Sequence, residues 1–189
     1  YDQLEKCNLF LQAVIDTKSL PMEDRQVEWL FKNPLSDGGQ FTGVSNLVMK
    51  YGIVPAEVMP ENYQSNNTSQ ISNLLKLKLR EYGLKLRAQK DRRAPVALKT
   101  EMLTELYSML ARAYGVPPTE FEWTLRNKAG EVISTKTYTP QSFYKEYFGD
   151  IDLEKNFVMV MNDPSREYYK AYEIEDDRHV YDGDNWVYL

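Results

Sequence analysis

The chain has 189 residues, a formal net charge of −5 and 42% hydrophobic residues, values typical of a globular protein and not of a disordered one. No apolar run reaches the roughly 18 residues of a membrane span, and a single cysteine excludes an internal disulfide and a cysteine-rich zinc module. The mildly acidic balance gives no overall reason to expect a nucleic acid or a membrane surface as partner.

Both ends of the sequence lie inside apolar patterns. A helical period begins almost at Tyr1, and residues 186–189 form a strand-like apolar run, whereas natural termini are usually polar. We therefore expect an internal piece of a longer protein. Its single free thiol suits a reducing, cytoplasmic compartment.

Apolar residues repeat with a helical period through the first part of the chain. The pattern predicts a first helix over 4–17 and a third over 42–51, the latter ended by Gly52, a residue that helix ends favour. Between them, Pro21 suits the first turn of a second helix that Ser19 caps. We expect this helix to bury Val27, Trp29, Leu30 and Phe31.

Two longer amphipathic helices are predicted next. Thr68 caps a fourth helix that reaches about residue 90, and a fifth helix covers 98–114. We expect their buried stripes to consist of Ile71, Leu75, Leu79, Tyr82 and Leu86 on the fourth helix and Met102, Leu106, Leu110 and Ala113 on the fifth.

A hairpin and a short helix follow. Apolar residues alternate over 121–125, residues 127–130 turn the chain, and 132–138 return it. Thr139 and Pro140 suit the N-cap and first position of a helix that ends at about residue 148.

The last part of the chain favours strands. They are predicted at 157–161 and 169–174, joined by a turn around 162–164. Because helices come first and strands afterwards, the sequence indicates an α+β fold.

Nucleophilic catalysis needs a base beside the nucleophile, and the chain offers one cysteine and one histidine. Cys7 lies on the first predicted helix, and His179 follows an acidic stretch far along the chain. We expect Cys7 to pack in a helix face as a small hydrophobic residue, and His179 to be solvated in a loop. A catalytic pair is the less favoured interpretation.

Acidic residues near the end of the chain offer oxygen ligands of the kind that calcium or magnesium prefers. These candidates are Glu173, Glu175, Asp176, Asp177, Asp182 and Asp184. Their spacing does not match a calcium-binding loop, because 182–184 supplies only two carboxylates. We therefore expect a solvated acidic loop and no metal or other cofactor.

The segment 76–93 is basic within an acidic chain. Its acidic residues are Glu81 and Asp91. Its basic residues are Lys76, Lys78, Arg80, Lys85, Arg87, Lys90, Arg92 and Arg93. Such a segment could attract a polyanion through counterion release. Because the charges flank an apolar stripe, a solvated face or a subunit contact is the favoured interpretation.

Gly38 and Gly39 stand in a tight turn predicted over 36–40. Adjacent glycines tolerate a left-handed φ and let another backbone come close, so an extended peptide could pair there as an added strand. An ordinary turn between two helices explains the same residues, because Gly-Gly is common in turns.

A series of motifs begins at this turn and runs in order over nearly the whole chain. They are Asn33-Pro34, Asp37-Gly38-Gly39-Gln40-Phe41, Lys50-Tyr51-Gly52-Ile53-Val54-Pro55, Pro60-Glu61, Tyr63, Ser65-Asn66, Leu79-Arg80, Leu86-Arg87, Pro117-Pro118, Phe121-Glu122-Trp123, Thr139-Pro140, Phe143-Tyr144 and Asn162-Asp163-Pro164. Together they resemble aminopeptidase C and bleomycin hydrolase, which are papain-like cysteine peptidases. The motifs match a middle section, well under half, of a complete family member.

The resemblance implies a layout and a function. Residues 1–61 would belong to the helical lobe of the papain fold, 62–150 to a helical insertion with its hairpin, and 151–189 to strands leading to a second lobe. Family members trim residues from peptide N-termini and form hexamers around a channel. The resemblance therefore implies peptide substrates and a homo-oligomer. No membrane partner is expected, because the sequence has no apolar run long enough to span a membrane.

The resemblance carries over substrate-binding residues but no catalytic ones. The family's nucleophile stretch, Gln-Gly-x-Cys-Trp, and its His and Asn motifs are absent, so the chain alone should be inactive. In papain-like enzymes the second glycine, here Gly39 after Gly38, hydrogen-bonds the substrate backbone. Gln40 and Phe41 would lie near a side-chain pocket, although Phe41 stands where the family has Trp. The alternative is a non-catalytic module that binds nucleic acid or partner subunits through 76–93.

Overall fold

The computed structural model of the chain describes residues 1–90 and 94–189. Helices come first and strands afterwards, as the sequence predicts. The helices are α1 (Asp2–Asp16), α2 (Arg25–Lys32), α3 (Phe41–Tyr51), α4 (Tyr63–Asn66), α5 (Ser69–Ala88), α6 (Ala94–Tyr114) and α7 (Pro140–Phe148). The strands are β1 (Phe121–Arg126), β2 (Val132–Tyr138), β3 (Met159–Val160), β4 (Ala171–Glu173) and β5 (Trp186–Tyr188), with a 3₁₀ turn at Glu175–Asp177.

The main core lies where α1 packs against α5 and α6. The stripe predicted on the fourth helix is confirmed, because all five of its residues are buried on α5. On α6 the predicted Met102, Leu106 and Leu110 are buried and Ala113 is partly buried. Apolar residues three and four positions apart share one helix face, which explains why the pattern found these side chains.

The start of the second helix is wrong in the sequence prediction. The helix begins at Arg25, and the side chain of Asp24 caps it by accepting from the Gln26 amide at 2.9 Å. The predicted burial of Trp29 is also wrong, since its side chain is 60% exposed. This short helix has one inward face, and Val27 occupies it while Trp29 points to the other side.

The helix starts between residues 62 and 94 also depart from the prediction. Asn62 caps α4, a short helix that was not predicted, through a capping box with Ser65. Thr68 precedes α5 as predicted, but its side chain makes no cap hydrogen bond. The fifth predicted helix, α6, starts at Ala94, ahead of the predicted residue 98.

The predicted hairpin is confirmed and builds a second, smaller core with α7. Phe121 pairs with Tyr138 across the antiparallel strands β1 and β2. The Phe143 ring of α7 lies 5.4 Å from the Phe121 ring and 5.5 Å from the Tyr138 ring, both edge-on. Thr139 caps α7 through a capping box with Ser142, as its position before Pro140 predicts.

The last strands form one small sheet in the order β3-β5-β4. β5 pairs parallel with β3 and antiparallel with β4, so the two predicted strands do not pair with each other. Both are shorter than predicted. Asp163 stabilises the connection between them by accepting from the Ser165 amide at 3.0 Å and from Arg166 at 3.0 Å.

Gly52 joins the end of α3 to the start of α7. It has a φ of +74°, and a β carbon there would lie 2.2 Å from the carbonyl carbon of Pro140. The following amide, that of Ile53, donates to the Pro140 carbonyl at 3.2 Å. Only glycine fits this close approach in a left-handed conformation. Among the described helices, none combines the length and the apolar character of a membrane span.

We expect Gly52→Ala to destabilise the chain more than Gly115→Ala does. Both glycines have a left-handed φ, which costs alanine about 1–2 kcal/mol. At Gly115 a β carbon meets nothing within 4 Å, whereas at Gly52 the overlap with Pro140 should add about 1–3 kcal/mol. Urea unfolding of both variants measures the difference, and equal losses would contradict the close approach.

Candidate functional site

Gly38 and Gly39 lie in the exposed segment that links α2 to α3. The tight turn predicted there is wrong, since no turn occurs over the described residues 35–40. The polar groups of Gly38 bond to side chains instead: its amide donates to Ser36 Oγ at 3.2 Å, and its carbonyl accepts from Lys6 Nζ at 2.6 Å. Neither glycine has a left-handed φ. What glycine provides at these two positions is therefore its small size, which leaves room for another backbone to come close.

The main chain of Gly39 is open. Within the described part of the chain, neither its amide nor its carbonyl has a hydrogen-bond partner. The atom nearest to a β carbon built on Gly39 would be His179 Cε1, at 3.7 Å. An exposed donor and acceptor on one residue are what an extended peptide needs for backbone pairing.

Gln40 and Phe41 follow directly and begin α3. The Gln40 side-chain amide donates to the main-chain carbonyl and the carboxylate of Asp177, both at 2.9 Å, and lies 3.2 Å from Asn185 Oδ1. The Phe41 side chain is 38% exposed, and its ring lies 5.5 Å from that of Phe157. Gln40 therefore anchors the segment, while the exposed part of Phe41 is open to a ligand.

His179 is not solvated, which corrects the sequence prediction. Its side chain is only 12% exposed and packs against Gly39 and Gly43. A β carbon at Gly43 would lie 2.7 Å from His179 Nδ1, so the glycine makes the room that the ring occupies. Burial, and then the positive charge of Lys6, lower the pKa of His179 below its usual 6.5. The ring is therefore neutral at neutral pH.

Cys7 is a core residue, as predicted. Its side chain is fully buried in the cluster between α1, α5 and α6. Burial, with a further contribution from Asp2, raises the pKa of the Cys7 thiol to about 12. Since only the thiolate is a strong nucleophile, Cys7 is chemically inert at neutral pH.

Asn185 ties the beginning of α3 to the last strands. This buried side chain accepts from Thr42 Oγ1 at 2.7 Å and donates to the Ile174 carbonyl at 3.0 Å. The sequence prediction missed it, because Thr42 lies 143 positions away along the chain and no local pattern marks the pair.

Glu5 bonds both to the C-terminal end of α3 and to Tyr181, which precedes the last strand. Its buried carboxylate lies 2.8 Å from Lys50 Nζ, accepts from the Tyr51 hydroxyl, and accepts from the Tyr181 amide at 3.0 Å. Burial alone would raise the pKa of Glu5, but the bonds from Lys50, Tyr51 and the Tyr181 amide outweigh it and lower the pKa below its usual 4.5. Helix α3 is thus held at both ends, and the Gly38-Gly39 segment before it with it.

The acidic residues considered as metal ligands lie at the end of β4, in the 3₁₀ turn after it and in the segment before β5. Those at 175–177, 182 and 184 are exposed, as predicted for a solvated loop. Asp182 forms an ion pair with Lys50 at 2.5 Å, and that bond lowers the pKa of the Asp182 carboxyl. Within 1–90 and 94–189, no group of three or more His, Cys, Asp or Glu residues is placed to hold a metal ion.

Much of the basic charge on α5 has partners within the chain. Lys85 and Lys78 form ion pairs with Glu81 at 2.5 and 3.3 Å. Arg80 donates to the Phe31 carbonyl at 2.8 Å, at the end of α2. Arg87 similarly donates to the main-chain carbonyls of Thr17, at 3.0 Å, and of Leu20, beyond the end of α1. The predicted cations Arg92 and Arg93, with Asp91, lie outside the described residues.

Comparison with known proteins identifies relatives over the whole chain. The model of the peptidase C1-like family matches residues 1–189. The chain is 38% identical to aminopeptidase C of Listeria monocytogenes over 168 residues, which cover 88% of this chain and 38% of that protein. It is 39% identical to aminopeptidase C of Lactobacillus delbrueckii over 181 residues, which cover 93% of this chain and 40% of that protein.

A solved structure shows the same architecture. The crystal structure of PepW from Lactobacillus rhamnosis superimposes with a TM-score of 0.92 at 36% identity, and the match covers 100% of this chain and 43% of that one. The predicted α+β, papain-like fold is therefore confirmed. The chain spans about two fifths of the length of the curated relatives it matches.

We expect Glu5→Gln to reduce the free energy of unfolding by about 3 kcal/mol near neutral pH, because it removes one member of a buried charged network. A group whose pKa is lowered on folding stabilises the fold above its unfolded pKa, and this contribution is lost as the pH falls through the folded pKa. The difference between wild type and variant should therefore shrink below about pH 4.5. Chemical unfolding from about pH 7 to about pH 3 measures it.

Glu57→Gln is the matched control for that series, because Glu57 is exposed. It should leave the free energy of unfolding within about 0.5 kcal/mol of wild type at every pH. A Glu5→Gln effect that does not change with pH would contradict the assigned ionised carboxylate.

We expect Arg87→Met to lower the free energy of unfolding by about 1.5–3 kcal/mol, because two main-chain carbonyls lose a charged donor. Lys76→Met on the same helix is the control, because Lys76 has no ion pair among the described residues. Thermal unfolding at low and high salt compares the two. Equal midpoints would show that Arg87 is a solvated charge, free for a polyanion.

Proposed function

The chain belongs to the peptidase C1-like family, and from this we propose that it forms part of a papain-like cysteine aminopeptidase that removes residues from the N-termini of peptides. The names of its relatives, aminopeptidase C and aminopeptidase G, support this reaction. Because the chain spans about two fifths of those relatives, the activity is proposed for the complete enzyme.

The proposed reaction divides peptide hydrolysis into two steps. A thiolate paired with an imidazolium attacks the scissile carbonyl, and the amine leaves with a proton from the imidazolium. Water then attacks the acyl-enzyme, which releases the acid and regenerates the thiol. Neither Cys7, a buried thiol, nor His179, packed against Gly39, suits these roles. This chain therefore contributes substrate binding and is inactive alone.

The open main chain of Gly39 is the observation that carries the proposal. Its amide would donate to a carbonyl of the bound peptide, and its carbonyl would accept from a peptide amide, so the substrate adds as a short strand. The exposed part of Phe41 would contact a substrate side chain. Gln40 serves by anchoring the segment to Asp177, and Gly38 by leaving room. A segment held in place before the substrate arrives loses little entropy on binding.

The arrangement of the complete enzyme is also part of the proposal. We assign 1–61 to the helical lobe, 62–150 to the insertion and 151–189 to strands of the second lobe. The insertion is not an independent folding unit, because α1 shares one core with α5 and α6. A hexameric assembly and a cytoplasmic location stay predictions from the family resemblance.

Binding of nucleic acid or of partner subunits through 76–93 also stays a prediction. What favours the peptidase proposal is that Arg80 and Arg87 donate to carbonyls of the chain itself. These two arginines then serve the packing of α1, α2 and α5.

We expect the double variant Gly38→Ala with Gly39→Ala to lower the kcat/KM of the complete enzyme at least about tenfold for a peptide substrate, because the new methyl groups block backbone approach. The fold should tolerate both changes: the added β carbons meet Ser36 Oγ at 3.5 Å and His179 Cε1 at 3.7 Å, which are ordinary contacts.

Two measurements separate blocked binding from misfolding. The thermal midpoint should stay within about 2 °C of wild type, and titration with an irreversible thiol reagent should count the same number of active sites. Unchanged kcat/KM in the double variant would refute the assignment of Gly39 to substrate binding.

A further inference from the structure

Lys6 is a buried cation in contact with the substrate-binding segment. Its side chain is only 9% exposed, and its ammonium group donates to the Gly38 carbonyl at 2.6 Å and to Asp2 at 2.7 Å. Removing a lysine from water is costly unless its charge and its donors are satisfied. Asp2 supplies the charge partner one turn earlier on α1, and Gly38 supplies an acceptor from another part of the chain.

The Gly38 carbonyl and the Gly39 amide belong to one rigid peptide unit. In a planar trans peptide the C=O and N–H bonds point in opposite directions. Because Lys6 holds the carbonyl on the protein side, the Gly39 N–H is directed to the open side. Ser36 Oγ holds the preceding amide, that of Gly38, at 3.2 Å. Without these bonds, a Gly-Gly segment would rotate this peptide unit easily.

We propose that Lys6 is a positioning residue that presents the Gly39 amide to the substrate backbone. This proposal rests on the proposed function, in which that amide binds the substrate. A positive charge at the carbonyl also polarises the peptide unit, which makes the N–H at its other end a stronger donor. Lys6 therefore acts through Gly39 and touches no substrate itself.

The position of Lys6 predicts which kinetic constant changes. A backbone hydrogen bond to bound peptide is made equally in the ground state and in the transition state, so its loss raises KM and leaves kcat unchanged. We expect Lys6→Met, which keeps the apolar stem of the side chain, to raise the KM of the complete enzyme about five- to tenfold. Lys6→Arg restores a charged donor and should recover at least about half of the lost affinity.

Lys18→Met is the matched control. Lys18 follows α1 and also donates from its ammonium group to a main-chain carbonyl, that of Gln89, in a different region of the chain. This variant also loses one lysine and one lysine–carbonyl bond. It should leave both KM and kcat at wild-type values.

A spectroscopic signature tests the orientation directly. In the complete enzyme labelled with ¹⁵N-glycine, the Gly39 amide signal is assigned by its disappearance in Gly39→Ala. We expect Lys6→Met to move this proton upfield, because the peptide loses its polarising charge, while Lys18→Met leaves it in place. A purely structural contribution of Lys6 would shift many glycine signals together.

The outcomes distinguish a failure of the Lys6 proposal from a failure of the proposed substrate binding by Gly39. If Gly39→Ala raises KM and Lys6→Met does not, the substrate subsite stands and the role of Lys6 is refuted. If Gly39→Ala changes nothing, the subsite fails and the role of Lys6 fails with it. If Lys6→Met lowers kcat and also lowers the thermal midpoint, the positioning role is overturned and Lys6 has a structural role instead.

A second variant keeps the test valid if Lys6→Met does not fold. Lys6→Gln retains a donor but no charge, so it should raise KM less than fivefold and shift the Gly39 proton. Wild-type KM with an unshifted proton in Lys6→Gln would refute the proposal.

Discussion

The buried carboxylate of Glu5 joins three distant parts of the chain, and the position of α3 depends on it. Glu5 lies on α1, two of its partners end α3, and the third is the Tyr181 amide near the final strand. An ionised carboxylate in this place would be strongly unfavourable without donors. The site is therefore specific: it stabilises only the arrangement that brings Lys50, Tyr51 and Tyr181 together around it.

With that end secured, α3 acts as a rigid support for the segment before it. Asn185 bonds Thr42 at the beginning of the helix, and Gln40 reaches across to Asp177. Steric fit matters here as well as hydrogen bonding, because His179 packs where a side chain at Gly43 would otherwise lie. The Gly38-Gly39 segment thus gains its order from contacts behind it, and its outer side stays open.

The parts of the fold that depend on neighbours in sequence could be predicted. The α5 stripe and the hairpin follow from residue spacing, and the cap at Thr139 follows from the residues next to it. What the sequence could not show depends on partners more than 30 positions away, such as Lys6 with Gly38. His179 is the clearest case: its polar neighbours indicate a solvated loop, but glycines from elsewhere in the chain make room for it.

The distribution of bonded and unbonded groups is what the proposed division between substrate binding and catalysis rests on. Burial keeps the Cys7 thiol protonated, and burial beside Lys6 keeps the His179 ring neutral. The described cations Arg80 and Arg87 already bond to carbonyls. In the exposed segment before α3, the main-chain groups without a hydrogen-bond partner among the described residues include the amide and the carbonyl of Gly39. Such groups can pair with a peptide backbone but supply no nucleophile. If Gly39 binds substrate as proposed, a residue without a side chain would recognise only the backbone that all peptides share. Any sequence preference would then come from side-chain contacts such as that of Phe41.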